Sequence, residues 1–124
     1  MIGIDLIKTS RMRDLMERFD KKALKRFLSE EEIGLVKNYK TASGFWAAKE
    51  ACSKALGVGI GSECGFHDIF IYKTKSGAPN LKFSEKLLNK FNIKDVSLSI
   101  THDGEYAIAV VAIESASADK IKQL

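Results

Sequence analysis

Val96-Ser97-Leu98-Ser99-Ile100-Thr101-His102-Asp103-Gly104-Glu105-Tyr106-Ala107-Ile108-Ala109-Val110-Val111-Ala112-Ile113 is the stretch that decides the fold class. Residues 96–101 and 106–113 read as two strands, and the Asp103-Gly104 pair between them is a strong signal for a tight antiparallel hairpin. Upstream, the chain alternates this strand chemistry with helical patterns. A mixture of helices and strands whose firmest pairing is antiparallel predicts an α+β fold rather than a doubly wound parallel sheet.

Working outward, Ile2, Ile4 and Leu6 alternate with Gly3, Asp5 and Ile7, the period of a strand buried mainly on one face. Asp5 therefore projects opposite Ile2, Ile4 and Leu6. Thr9-Ser10 offers a helix N-cap, and Met12, Leu15, Met16 and Phe19 follow at helical spacing. A second short helix carries Ala23, Leu24, Phe27 and Leu28. Ser29 with Glu32 forms a capping box that opens a helix through Ile33, Leu35 and Val36. The clearest helix spans residues 43–56 and stops at Gly57, a favourable residue just past a C-terminus. Residues 58–65, with three glycines, predict a loop, and residues 67–73 a strand. Residues 75–79 carry turn chemistry, and Ser84 caps a helix through Leu87, Leu88 and Phe91. From Glu114 onward the chain is polar and is expected to fray.

The chain has 124 residues, enough for one domain over 1–124. It is 45% hydrophobic and 29% charged with one proline, which excludes a disordered chain. No run approaches the roughly 18 apolar residues of a membrane span, and Asp5 interrupts the only N-terminal apolar stretch, against a signal peptide. Cys52 and Cys64 lack metal or redox spacing, and Cys52 reads as a small buried hydrophobe. A cytoplasmic protein is the resulting expectation. The net charge is +4, and the segment from Ser10 to Leu28 carries an equal excess through Arg11, Arg13, Arg18, Lys21, Lys22, Lys25 and Arg26. Such a patch attracts an anionic partner.

On the 43–56 helix, Glu50 and Lys54 lie four residues apart and project together, flanked by Trp46 and Ser53. An exposed ion pair is the plain reading of that spacing. Asp5 adds to it, because a carboxylate on an apolar strand must be paired, hydrogen-bonded or bound to metal. Arg11 and Lys49 are available as pairing partners. The chemical alternative brings Asp5 and Glu50 onto one magnesium ion, with Lys54 meeting the phosphate oxygens of a diphosphate. His67 and His102 fit neither a zinc set nor a catalytic triad, and a P-loop motif is absent.

Three segments resemble the holo-acyl-carrier-protein synthases, a family of small 4′-phosphopantetheinyl transferases. They are Gly3-Ile4-Asp5-Leu6-Ile7 followed by Arg11; Phe45-Trp46-Ala47-Ala48-Lys49-Glu50-Ala51-Cys52-Ser53-Lys54; and Ser99-Ile100-Thr101-His102 ahead of Tyr106-Ala107-Ile108-Ala109. The second is similar to the family's [FW]-x-x-K-E-[AS]-x-x-K signature. Thr101 stands where the family usually has serine. The resemblance implies transfer of phosphopantetheine from coenzyme A to a serine of acyl carrier protein, releasing 3′,5′-ADP, in fatty acid biosynthesis. It implies a Mg2+ cofactor held by Asp5 and Glu50, phosphate binding by Lys54, and contact of His102 with the nucleotide end. It leaves open whether Glu50 or a metal-bound water takes the serine proton. The acidic carrier would dock on Arg11, Arg18, Lys21 and Lys25, and the enzyme would be a homotrimer. A nucleic-acid module and a magnesium phosphohydrolase are the rival classes. The first leaves Asp5 and Glu50 without purpose, and the second lacks further acidic ligands.

Overall fold

The computed structural model describes residues 1–116. Five strands and five helices are arranged as β1 (Ile2–Lys8), α1 (Thr9–Phe19), α2 (Lys21–Lys25), α3 (Glu30–Ile33), α4 (Tyr39–Ala55), β2 (Ile69–Lys73), β3 (Pro79–Phe83), α5 (Glu85–Phe91), β4 (Ile93–Asp103) and β5 (Tyr106–Ser115). A 3-10 turn at Phe66–Asp68 leads into β2. The sheets are antiparallel throughout: β1-β5-β4 in one and β2-β3 in the other. The α+β expectation holds, and the 96–113 hairpin is its centre, turning at Gly104 with φ +57°.

α4 is the axle of the molecule. It begins four residues earlier than the sequence predicts, because the Asn38 side chain accepts hydrogen bonds from Lys40 N and Thr41 N and so caps the helix. It ends as expected, with Gly57 at φ +79°. Its Ala47, Ala48, Ala51 and Ala55 are buried against the three-stranded sheet. Small residues here permit close approach, and Gly3 takes this furthest. A Cβ on Gly3 would lie 1.9 Å from Ala51 O and 2.6 Å from Ala55 N, so only glycine lets β1 lie flush on α4.

This contact reverses the polarity expected of β1. The alternation is present, but the covered face is that of Gly3, Asp5 and Ile7, while Ile2, Ile4 and Leu6 are 74%, 59% and 58% exposed. Outward-facing Val110 of β5 pairs with Ile4, so the sheet's far side carries a continuous apolar surface.

Other local expectations need adjustment. Lys8, not Thr9 or Ser10, is the N-cap residue of α1, and the Thr9 hydroxyl instead donates to Glu105 O. The Ser29–Glu32 capping box forms, but its helix is a single turn ending at Ile33. Pro79, read as the end of a turn, instead opens strand β3, whose remaining residues 80–83 the sequence reading left unassigned. His67 lies in the 3-10 turn rather than in β2. Glu114 and Ser115 belong to β5 instead of fraying, because they pair with Asp95 and Ile93. The rest of the polar tail, from residue 117, lies outside the described residues. Both cysteines are buried free thiols, as the sequence predicts for Cys52, and burial pushes the Cys64 thiol up to about 11.

Candidate active site

Asp5 enters the site because strand register aims it there. It faces α4 opposite Ala109 of β5, a small residue, and its side chain is 13% exposed. From α4, Lys54 reaches across to it. The ammonium donates to Asp5 Oδ1 at 2.9 Å and to Ile4 O at 3.2 Å, while remaining half exposed. The partner of Asp5 is therefore Lys54, rather than Arg11 or Lys49.

Glu50 sits one turn before Lys54 and is partly buried. Its carboxyl is held above the ordinary range, first by burial, then by the nearby Asp5 charge, with Lys54 acting in the opposite sense. Asp5, Glu50 and Lys54 thus come together from segments more than forty residues apart. Two hard-oxygen donors repel one another here, with one lysine to offset them. The donor set fits a magnesium ion: the ion would relieve the carboxylate repulsion, and two protein carboxylates leave its other positions to water and substrate phosphate. Among the described residues no group of three or more His, Cys, Asp or Glu side chains forms a metal-binding cluster.

Lys49 has a different environment. It is fully buried and its ammonium donates to Glu32 Oε1 at 3.0 Å, Phe27 O at 2.7 Å and Phe66 O at 3.0 Å. Burial lowers its pKa, and Glu32 opposes that shift. The sequence shows Glu32 as a capping residue; its second duty, a buried ion pair across 17 residues, has no local signature. Trp46, Phe27 and Phe66 pack together beside this pair, with centroids 4.9 to 6.0 Å apart: Phe27 meets the other two rings edge-on, and Trp46 and Phe66 lie tilted at 43°.

His102 is placed outside the carboxylate cluster. It packs on the N-terminal half of α4, where its Nε2 lies 2.9 Å from Lys40 O and 3.3 Å from the position of a Cβ on Gly44. It lines a cavity of about 240 Å³ together with Lys37, Thr41, Lys73 and Pro79. The basic residues lie elsewhere again, exposed on α1 and α2. Arg11 borders Trp46, Arg18 lies over the Phe19 ring, Lys21 opens α2, and Lys25 is 3.8 Å from Glu30.

A helix-borne glutamate and lysine thus face a strand aspartate on a small α+β scaffold, an arrangement able to bind phosphate through the lysine. Residues 1–111 match the model of the 4′-phosphopantetheinyl transferase superfamily, and the chain belongs to that family. It is 72% identical over 121 residues to the holo-[acyl-carrier-protein] synthase of Sulfurimonas denitrificans, covering 98% of this chain and all of that one. Its fold is similar to that of the Helicobacter pylori holo-[acyl-carrier-protein] synthase crystallised with coenzyme A: TM-score 0.89, 47% identity, covering 92% of this chain and 100% of the other. The Bacillus anthracis synthase, in complex with CoA (3′,5′-ADP), gives 0.77 at 36% identity, covering 93% and 96%.

Proposed function

We propose that this protein is a holo-acyl-carrier-protein synthase that moves the 4′-phosphopantetheine group of coenzyme A onto a serine of acyl carrier protein. The observation that carries the reading is the convergence of Asp5 and Lys54, 2.9 Å apart, with Glu50 one helical turn away. In the reaction the serine oxygen bonds to the phosphorus bearing pantetheine. The bond from that phosphorus to the bridging oxygen breaks, and 3′,5′-ADP leaves with the electron pair. Asp5 and Glu50 would hold a magnesium ion, which would supply positive charge to the diphosphate. Lys54 turns from Asp5 to a phosphate oxygen, a swing its half-exposed side chain allows. Glu50, partly buried beside Asp5 and Lys54, is the side chain placed to take the serine proton as the new bond forms. His102 and the cavity beside it, with Lys37 and Lys73, receive the nucleotide end.

The carrier docks on the exposed cations of α1 and α2, Arg11, Arg18, Lys21 and Lys25, which match an acidic helix. The apolar outer face of the sheet, with Ile2, Ile4, Leu6, Tyr106 and Val110 exposed, is the surface that a homotrimer would cover. The proposed setting is the cytoplasm, in fatty acid synthesis; no helix among the described residues is long and apolar enough to cross a membrane.

The test is a product assay with coenzyme A, magnesium and apo-carrier protein. Modified carrier plus 3′,5′-ADP is expected, and Asp5→Ala or Glu50→Ala should abolish both while circular dichroism stays native. Free phosphopantetheine as product would instead mark a hydrolase, and an active, folded Asp5→Ala protein would refute the two-carboxylate site.

A further inference from the structure

Resting on the carrier-docking reading above, we propose that the buried Lys49–Glu32 pair is a positioning element that holds the docking side of the molecule in register with Glu50. Lys49 is 0% and Glu32 1% exposed, and every polar atom of the pair is used. The ammonium holds the carbonyls of Phe27, at the end of the α2 region, and of Phe66, in the 3-10 turn. The carboxylate accepts Ser29 N and Ile71 N, each at 2.8 Å, which ties in the α3 cap and β2. Segments distant in sequence thus meet at one lysine, and that lysine immediately precedes Glu50 on α4.

A buried ion pair is a poor source of net stability, since apolar side chains of similar volume often serve as well. An apolar pair cannot, however, grip two backbone carbonyls belonging to separate connections. The carbonyls gripped here belong to Phe27 and Phe66, whose rings pack with Trp46. Those three rings wall a cavity of about 340 Å³ that Met12, Leu15 and Arg26 complete from α1 and the end of α2. The pair therefore sets where the basic α1–α2 surface stands relative to the helix that carries Glu50. Glu50 itself is held by α4, whose backbone does not depend on Lys49. Loss of the pair should shift the docking side most; the coenzyme side, where Lys73 follows Ile71 on β2, is still held by the β2–β3 pairing and should move less.

The decisive variant is Lys49→Met with Glu32→Gln, which removes both charges at similar side-chain volume. Trp46 is the single tryptophan, so its emission reports the wall directly. The expected result is a folded protein with altered Trp46 emission, a KM for carrier protein raised about tenfold or more, and coenzyme A affinity weakened by a clearly smaller factor, about threefold at most. A purely structural role would instead lower kcat in step with the folded fraction and leave the carrier KM alone, and that outcome overturns the proposal. Lys49→Arg, which keeps the ion pair but presents a planar fork in place of a compact ammonium, is carried through the same measurements should the double variant fail to fold. Arg18→Glu with Lys21→Glu separates the two levels of the argument. An unchanged carrier KM there refutes the docking reading itself. A raised KM there, with an unmoved KM in the Lys49 variant, refutes only the positioning role.

Discussion

Gly3→Ala is the substitution that most directly probes how the site is built. The added Cβ would stand 1.9 Å from Ala51 O, and real Cβ contacts essentially never fall below 3.0 Å. β1 must therefore retreat from α4 by about 1.1 Å at that point, or α4 must bend. The obstructing atoms, Ala51 O and Ala55 N, are helix backbone, so no side-chain rotation relieves the clash. Overpacking of this kind costs about 1–3 kcal/mol, and each kcal/mol lowers Tm by about 4 °C in a domain of this size. Thermal unfolding followed by circular dichroism should show a fall of roughly 4–12 °C on that scale. Asp5, two residues along the strand, moves with it. A shift near 1 Å at a reacting constellation costs up to about a hundredfold in rate, so kcat should drop far more than KM for the carrier. Trimming Ala51 or Ala55 to glycine should restore neither quantity. An unchanged Tm and kcat in Gly3→Ala, or rescue by either trimming, would refute the backbone-contact argument.

Glu50→Gln should abolish transfer and yet stabilise the metal-free protein at neutral pH. Its folded carboxyl lies above the unfolded value near 4.5, so its contribution is favourable below that value and is lost as pH rises through the folded pKa. Urea midpoints should show the variant ahead of wild type at pH 7 and level with it at pH 4; equal midpoints at both would remove the strained carboxylate from the account. Lys54→Met should weaken coenzyme A binding clearly in calorimetric titration while changing stability by under ~1 kcal/mol, as befits a half-exposed pair. Unchanged affinity would leave Lys54 as a surface partner of Asp5 only. If the outer sheet face is the proposed trimer seam, Ile4→Lys should give a monomer by light scattering where the unaltered protein gives a trimer, with little loss of monomer stability, because Ile4 is 59% exposed. A trimer surviving that change would place the interface elsewhere.

What could be read from the sequence was whatever depends on near neighbours. The Asp103-Gly104 hairpin, the Ser29–Glu32 box and the stop at Gly57 all use contacts within a few residues. The alignment of Glu50 with Lys54 follows from helical period alone. Strand alternation separated Asp5 from Ile2, Ile4 and Leu6, but alternation only sorts residues into two faces. Which face is covered depends on Gly3 meeting Ala51, nearly fifty positions away. The role of Lys49 was illegible for the same reason: its partners are two carbonyls and a carboxylate from separate segments. The Asn38 cap was legible in principle, since asparagine favours that position, but Tyr39-Lys40-Thr41 carries little apolar signal to draw attention to it.

β1 serves two masters with alternate residues: Gly3, Asp5 and Ile7 face α4, and Ile2, Ile4 and Leu6 face outward. A point substitution touches one face at a time, but a one-residue slip of the strand's register against β5 exchanges them all. It would swing the aspartate into the apolar face and press isoleucine against the Ala51 backbone. The strand is consequently a reading frame in space, tolerant of many spellings yet closed to frameshifts, and length variation in the lineage of this protein should be confined to the loops beyond it.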